Sequence, residues 1–404
     1  MRKMYGLPAQ CQASYRRVSD RHKMLRGVVF LSLALATLQS PSPRLGSDLD
    51  LTPGKANETV PSLPCTTDKN EEGFCVLYYQ CKNNDVINVD GENLIDMRLK
   101  DSCLSSLEKC CKAPEVSPDN VPVPEPPQRK GCGWRNPNGI SIRVQSVDGE
   151  AGFAEFPWMV AVMKKLPKET YLGGGSLIHP NAVLTAAHLV SGERDLKVRA
   201  GEWDTVTTRE IYPHQERDVA SVVVHKDFIK QTLYYNIALL FFTTPMELAP
   251  NVGVACLPPP ESDTPDDTRC FATGWGKTRF GEEGQNAIIL KKVEVPVVSK
   301  RTCRSQLRNT RLGSAFELHS TFMCAGGEPG RDTCRGDGGS PLVCPIEGEK
   351  NRYYQSGIVA WGIGCGGDGV PGVYVDVVKL RPWIDDKMAG RGLDLNTYDH
   401  NARI

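Results

Sequence analysis

Three short segments of the sequence carry the residue types that could perform chemistry. The first ends in His188, whose imidazole is a candidate general base. The second contains Asn236, and the third reads Gly-Asp-Gly338-Gly-Ser-Pro. A histidine, an aspartate and a serine in this chain order form one of the triads that hydrolyse peptide bonds. Here the second position carries an amide, and the third, Gly338, carries no side chain.

These segments resemble the catalytic loops of the trypsin-like serine proteases. Leu184-Thr-Ala-Ala-His188 is similar to the general-base loop, Asn236-Ile-Ala-Leu-Leu to the family's Asp-Ile-Ala-Leu-Leu, and the Gly338 loop to its Gly-Asp-Ser-Gly-Gly-Pro. Further motifs occur in the family's order: Phe156-Pro157-Trp158, Gly174–Ile178, Gly274-Trp275-Gly276 and Val359–Gly362. The resemblance implies an all-β, chymotrypsin-like double six-stranded β-barrel. Short β-branched runs between Gly- and Pro-rich turns also indicate an all-β barrel or sandwich.

Each of the two replacements should silence peptide hydrolysis. Loss of a catalytic serine costs about 10⁶ in kcat, which is roughly 8 kcal/mol. An Asn in place of the orienting Asp costs about 10⁴, because the amide favours the wrong imidazole tautomer. Ser340 is a poor substitute, since its Cα lies up to about 7 Å further along the chain than that of Gly338. We therefore expect no enzyme, only a degenerate triad of His188, Asn236 and Gly338.

Other residues of the silent site match ligand-binding positions of the family. The resemblance places Asp332 at the base of a specificity pocket for Arg or Lys side chains, with Gly362 and Gly372 as its open walls. Gly336 and Gly338 would supply the N–H groups of an oxyanion hole. Asp337 matches the partner of the ammonium group that zymogen cleavage creates. The pocket could hold a basic side chain without cutting it, or it could be vestigial.

The N-terminal part of the chain holds six cysteines between Cys65 and Cys111. So short a segment cannot bury a large core, and disulfides have to staple it. Spacing alone leaves fifteen connectivities open. The adjacent pair Cys110-Cys111 and the segment Leu94–Arg98 resemble the clip domain of arthropod serine proteases and their homologues, over residues 62–112. That resemblance implies the bridges Cys65–Cys110, Cys75–Cys103 and Cys81–Cys111; another small disulfide knot is the alternative.

The protease-like domain, residues 132–388, carries the remaining expected bridges. The resemblance implies Cys270–Cys344, Cys303–Cys324 and Cys334–Cys365, and clip-bearing relatives add Cys132–Cys256. The family's bridge beside the general-base loop is missing, because Gly173 and Leu189 stand at its two positions. A bridge of this kind is worth about 2–4 kcal/mol. We therefore expect the loop of His188 to be looser than in the family.

Composition and the leader indicate a secreted protein. Fifteen cysteines are typical of an oxidising compartment. The leader, residues 1–40, contains the apolar run Val28–Ala36 and an Ala-x-Ala end, which predict a signal peptide with Met24 as the true start. A membrane anchor is the alternative, although the run is too short for a span. Asn57 opens a glycosylation sequon. The formal net charge of zero gives no indication of nucleic-acid binding.

Two segments of other composition complete the domain organisation. Residues 113–131 are rich in proline and predict a semi-rigid spacer between the clip and protease-like domains. Residues 389–404 form a polar tail, which we expect to be mobile.

Cleavage and metal binding are weaker predictions. Arg98 and Arg143 are candidate activation sites, although the family's Ile-Val-Gly-Gly start does not follow Arg143 and both could be ordinary solvated residues. No metal-ligand spacing occurs, and no cofactor is expected. Glu202 and Glu210 lie near the place where some trypsin-like barrels bind calcium through oxygen ligands, which makes them weak calcium candidates.

The resemblance is close to the arthropod clip-domain serine protease homologues of the prophenoloxidase-activating cofactor type, which share the Gly-Asp-Gly-Gly-Ser-Pro loop. It implies a secreted haemolymph protein that acts by binding. Its expected partners are a catalytic clip-domain protease and prophenoloxidase or phenoloxidase, in melanisation, with no nucleic acid and no membrane span. Cleavage could convert it to a homo-oligomer. A microbial-surface recognition or adhesion protein and an inhibitory pseudoprotease are the alternatives.

Overall fold

The structure is a computed structural model. It describes residues 63–67, 70–77, 80–81, 94–95, 103, 108–112, 129–137, 139–140, 143–144, 149–208, 210–277, 286–333, 337–364 and 366–402, with only the backbone at 94–95 and 143–144. The predicted leader, Asn57, Arg98, most of the Pro-rich spacer and the bridge Cys334–Cys365 lie outside these ranges. Within them, no helix has the length and apolar character needed to cross a bilayer.

The clip region is a three-stranded antiparallel sheet with the order β1 (Pro64–Thr66), β2 (Glu72–Leu77) and β4 (Glu108–Cys111). Its small core consists of cystines: the structure forms Cys65–Cys110, Cys75–Cys103 and Cys81–Cys111. A further two-residue strand, β3 (Leu94–Ile95), pairs in parallel with β5 (Arg143–Val144). The cross-links supply the stability that so small a core cannot.

The first half of the protease-like domain is a seven-stranded antiparallel sheet with the order β10-β9-β6-β7-β8-β12-β11. Its strands are β6 (Met159–Lys164), β7 (Thr170–His179), β8 (Ala182–Thr185), β9 (Leu196–Ala200), β10 (Gln215–Asp218), β11 (Ser221–Val224) and β12 (Ala238–Phe241). Strands β8 and β12 are buried along their whole length. Their apolar runs and those of β6 supply the core, which includes Val160, Val183 and Leu240.

The second half is a closed barrel of six strands with the order β13-β14-β15-β18-β17-β16. The strands are β13 (Arg269–Gly274), β14 (Lys291–Val298), β15 (Phe322–Gly326), β16 (Pro341–Pro345), β17 (Tyr353–Trp361) and β18 (Pro371–Asp376). The helices are α1 (Ala187–Val190), α2 (Lys300–Arg308) and α3 (Val377–Ala389). The predicted all-β chymotrypsin-like class is confirmed, although the first half is one seven-stranded sheet and not a closed six-stranded barrel.

The two halves approach each other most closely at glycines. A Cβ built on Gly174 of β7 would lie 2.0 Å from the Oγ of Ser340, and one on Gly274 of β13 would lie 3.2 Å from the same atom. No side chain fits at either position without a shift of the backbone. The absence of a Cβ therefore lets the loop before β16 pass between β7 and β13, where it carries Gly338 towards His188.

The predicted bridges of this domain appear where both cysteines are described: Cys132–Cys256, Cys270–Cys344 and Cys303–Cys324. The expectation of a mobile tail is wrong for residues 390–402. Tyr398 is fully buried, its carbonyl accepts a hydrogen bond from Leu257 N at 2.8 Å, and its hydroxyl donates to Asp385 Oδ1 at 2.8 Å. One buried aromatic side chain fixes this segment against the core, despite its polar composition.

Candidate functional site

His188 and Asn236 meet because their strands are neighbours. His188 lies in α1, directly after β8, and Asn236 directly precedes β12, which pairs with β8 in the register Ala238↔Thr185. The Oδ1 of the fully buried Asn236 accepts a hydrogen bond from His188 N at 2.8 Å. The amide Nδ2 lies 2.8 Å from His188 Nδ1. Asn236 Oδ1 also lies 3.2 Å from Nδ1, but it already accepts the His188 N–H, and the shorter contact of Nδ1 is with Nδ2. Since an amide N–H can only donate, Nδ1 then accepts, and the neutral imidazole carries its proton on Nε2.

This tautomer is the reverse of the one that a general base needs. An imidazole protonated at Nε2 cannot take a proton from a group facing Nε2, which is the task of the histidine in a serine protease. Burial lowers the pKa of His188. The ring is therefore neutral at physiological pH, with its lone pair pointing towards Asn236.

Gly338 occupies the position of a nucleophile. A Cβ built on Gly338 would lie 3.0 Å from His188 Nε2 and 3.3 Å from Cε1, so a side chain at this position would face the imidazole directly. Ser340 does not take over this role. Its Oγ is buried against Gly174 and has no hydrogen-bond partner, so it makes no hydrogen bond with His188. The place of the nucleophile is present, and the attacking atom is absent.

Leu189 fills the space of the missing bridge beside His188. A Cβ on Gly173 would lie 2.6 Å from Leu189 Cδ1 and 2.4 Å from the carbonyl oxygen of Gly338. A Cβ on Gly339 would also lie 2.6 Å from Leu189 Cδ1. The leucine thus packs on bare backbone at both places, and the Gly338 carbonyl accepts a hydrogen bond from Gly174 N at 2.9 Å. Apolar packing and this hydrogen bond hold the loop where the family has a disulfide.

Of the residues predicted to form a specificity pocket, Asp332 and Gly372 lie next to each other. Asp332 Oδ2 accepts a hydrogen bond from Gly366 N at 3.1 Å, whereas the buried Oδ1 has no hydrogen-bond partner among the residues that the structure describes. A Cβ on Gly372 would lie 3.1 Å from that Oδ1, and one on Gly362 would meet only a carbonyl oxygen of Gly364, at 3.5 Å. Burial raises the pKa of Asp332 to about 6, and the nearby charge of Asp337 adds a smaller increase. This arrangement, an unpartnered carboxylate oxygen beside side-chain-free walls, can accept a guanidinium or an ammonium group.

Asp337 is held by backbone on the barrel side. Its Oδ1 accepts a hydrogen bond from Gly276 N at 2.8 Å. A Cβ on Gly274 would lie 2.2 Å from the same oxygen, and one on Gly276 would lie 2.5 Å from it. These two glycines of the Gly-Trp-Gly motif are required for the carboxylate to fit. Gly336, the other predicted donor of the oxyanion hole, lies outside the described residues.

The two acids predicted as weak calcium candidates form a cluster with His214. Ligand atoms of Glu202, Glu210 and His214 all lie within 4.8 Å of one another. Burial, followed by the hydrogen bond and negative charge of Glu202, raises the pKa of Glu210 to about 8. Glu202 Oε2 also accepts a hydrogen bond from Arg199 Nη1 at 2.9 Å, and the buried Glu210 Oε2 has no hydrogen-bond partner. The two carboxylates could share a proton or hold a hard cation.

Sequence reasoning missed two residues of these sites. His214 lies four residues after Glu210, but the segment is not helical, so this spacing gave no signal of a shared cluster. Leu189 gave no signal, because a leucine beside the general base is unremarkable until its contact with Gly173 is known. The structure brings the triad positions together and places Gly372 beside Asp332, and the Glu202 cluster lies in the connection between β9 and β10.

The fold and the site define a class. A chymotrypsin-like domain preceded by a disulfide-rich clip region is the architecture of clip-domain serine proteases. The model of the family described as Trypsin matches residues 147–384, and the model described as Serine protease Clip domain PPAF-2 matches residues 62–112. The chain belongs to the trypsin family and carries a clip domain.

Individual relatives agree with this assignment. The chain is 62% identical to phenoloxidase-activating factor 2 of Galleria mellonella over 303 residues, which cover 71% of this chain and 100% of the relative. It is 36% identical to the inactive CLIP domain-containing serine protease A28 of Anopheles gambiae, over 80% of this chain and 90% of the relative. It is 30% identical to phenoloxidase-activating factor 1 of Holotrichia diomphalia, over 80% of this chain and 92% of the relative.

Proposed function

We propose that this protein is a secreted, non-catalytic serine protease homologue that acts by binding, as a cofactor of the protease cascade that activates prophenoloxidase. The observation that carries the proposal is the bare position of Gly338, 3.0 Å from His188 Nε2 when a Cβ is built on it. The reversed imidazole tautomer set by Asn236 is a second and independent defect. The name of the Galleria relative, phenoloxidase-activating factor 2, supports the pathway.

The retained frame explains why a silent protease fold can still bind. The cores of both halves are complete, and the loop of Gly338 is held by the hydrogen bond from Gly174 and by Leu189. Clip and barrel surfaces can therefore present a catalytic clip protease and prophenoloxidase to each other without any chemistry at His188. The fifteen cysteines of the chain support secretion, and the haemolymph is the compartment that the family resemblance implies.

The test is a reconstitution from purified components. The protein, cut and uncut, is mixed with a catalytic clip protease and prophenoloxidase, and phenoloxidase activity is read beside hydrolysis of a chromogenic Arg peptide. We expect no hydrolysis by the protein alone and a rise in phenoloxidase output when it is added. Output that stays unchanged would refute the cofactor role. Output that falls would identify an inhibitory pseudoprotease instead.

A second candidate function is the capture of a basic side chain without cleavage. The unpartnered Oδ1 of Asp332 favours it, because a bound Arg or Lys would supply the missing partner. Asp332→Asn is the variant that separates the two functions in the reconstitution. If cofactor output survives this substitution while binding of benzamidine is lost, the pocket is not the cofactor surface. If both are lost together, the partner's basic side chain enters the pocket.

A further inference from the structure

The bond between Arg143 and Val144 lies in a loop that is held at both ends. On the upstream side, Ile140 N donates a hydrogen bond to the carbonyl of Phe153 at 2.8 Å. On the downstream side, the carbonyl of Gly149 accepts one from Lys292 N at 2.7 Å. Strand β5 lies between these two anchored points of the chain.

Strand β3 of the clip domain covers this bond. The backbone of Leu94 pairs with Arg143 and that of Ile95 pairs with Val144, in parallel. The pairing thus falls on the two residues that flank the scissile bond. A protease binds its substrate as an added strand, through main-chain hydrogen bonds. A backbone that already pairs with β3 cannot offer the same edge to a protease.

We propose that β3 shields the Arg143–Val144 bond, so that this bond becomes a processing site only after β3 has detached. The proposal goes beyond the cofactor function, and its test does not depend on prophenoloxidase. The shield joins the clip domain to the N-terminal segment of the protease-like domain. Cleavage at Arg143 is therefore conditional on the state of the clip domain.

The cross-links show how β3 can be released without loss of the clip domain. The bridges Cys65–Cys110, Cys75–Cys103 and Cys81–Cys111 each join a cysteine before residue 98 to one after it. A cut after Arg98 leaves the clip fragments covalently joined. The cut also ends the chain shortly after β3, which lowers the free energy needed to detach this two-residue strand from β5. The cut at Arg98 thus precedes and promotes the cut at Arg143.

The chain around Arg143 stays attached after cleavage. Cys132 is bridged to Cys256, and the guanidinium of Arg135 bonds to the fully buried Glu155, with Nη2 at 2.5 Å from Oε1. Lys292 Nζ lies 2.7 Å from the other oxygen of the same carboxylate. Processing at Arg143 therefore frees the new terminus at Val144 and leaves residues 132–140 in place.

The test is timed proteolysis of the full chain with an arginine-specific endoproteinase, because Arg98 is the only arginine between Cys65 and Cys111. New termini at Leu99 and Val144 are quantified by mass spectrometry and amino-terminal sequencing. In the unaltered protein the Leu99 terminus should appear first. Leu94→Pro places a residue that disfavours strand pairing in β3 and should speed the Val144 terminus about tenfold, the order of the effect of losing one hydrogen bond.

Two further variants keep the test decisive. Asn88→Pro places a proline upstream of the pair in the sequence and should match the unaltered protein, whereas Arg98→Gln should slow the appearance of Val144. A free-thiol titration checks that the clip bridges are intact in each variant. Equal rates at Arg143 in the unaltered protein and in Leu94→Pro would overturn the proposal. So would a Val144 terminus that appears before Leu99, or one that is unaffected by Arg98→Gln.

Discussion

Substituting serine for Gly338 and aspartate for Asn236 should restore catalysis, and the double variant should be much more active than the serine variant alone. Gly338 does not have a positive φ, unlike the neighbouring Gly339 with φ +82, so the backbone accepts a serine there. The new Cβ would lie 3.0 Å from His188 Nε2, which requires the imidazole to move by a few tenths of an ångström. The serine hydroxyl would then face the ring of His188.

The single variant Gly338→Ser should remain nearly silent. The Nδ2 of Asn236, 2.8 Å from Nδ1, keeps the imidazole proton on Nε2, where it blocks proton transfer from the serine. Adding Asn236→Asp reverses this tautomer, because a carboxylate can only accept. The known cost of the amide at this position is about 10⁴ in kcat, or roughly 5.5 kcal/mol. We expect the double variant to exceed the single one by about that factor.

The assay is hydrolysis of a chromogenic Arg peptide by the unaltered protein, both single variants and the double variant. Each protein is measured before and after cleavage at Arg143. Gly338→Ala combined with Asn236→Asp is the matched control, since it adds the Cβ without the hydroxyl and should stay inactive. A double variant less than tenfold above Gly338→Ser would refute the tautomer argument. A double variant that binds benzamidine and yet hydrolyses nothing would refute the claim that the frame is retained.

Three further predictions follow from the structure. Benzamidine should bind more tightly as pH rises from 5 to 7, because the pKa of Asp332 is raised to about 6 by burial and the carboxyl must ionise to bind a cation; Asp332→Asn should abolish binding in calorimetry, and a pH-independent affinity would contradict this. Burial is the main cause that raises the pKa of Glu210 to about 8 in the folded protein, so the stability that its protonated form contributes is fully present below the unfolded pKa and is lost as pH rises through 8. Tm should therefore fall over this pH range, and Glu210→Gln should flatten the fall. Calcium should raise the Tm of the unaltered protein at pH 8 more than magnesium does if the cluster binds it. Tyr398→Ala should lower the free energy of unfolding by about 3–5 kcal/mol, the usual cost of removing a buried aromatic side chain. Substitution of the exposed Asn396 by alanine should change it little. A small effect of Tyr398→Ala in chemical denaturation would show that the tail is not packed.

The fold and the pocket could be predicted from the sequence because local motifs encode them. Gly274-Trp275-Gly276 is a glycine pair around the Asp337 carboxylate, and no other residue type fits the contacts of 2.2 and 2.5 Å. Because only glycine fits at these two positions, the motif predicts how the Asp337 carboxylate is held. The same reasoning located Asp332 beside Gly372.

Other features depend on packing between distant segments, which the sequence does not display. Leu189 replaces a disulfide only because Gly173 leaves bare backbone against it. The tail after residue 389 is polar, and the single buried ring of Tyr398 decides that it packs. The pairing of Leu94 with Arg143 joins two segments with no shared motif. In each case a contact between segments far apart in the sequence determines the structure, and the local conformational preference of the chain does not.

The positions that have lost their catalytic residue and the pocket aspartate that is kept differ in their effect on the stability of the fold. Gly338 and Asn236 remove chemistry, and both sit in well-packed surroundings at no evident cost. Asp332 is different, because a buried carboxylate oxygen without a partner costs about 1–3 kcal/mol. Replacement by a neutral residue would relieve that cost, and a bound cation would relieve it as well. If a basic side chain binds at Asp332, as we propose, the recovery of this cost would supply part of its binding free energy, and this is a physical route by which a non-catalytic homologue could use the pocket for recognition.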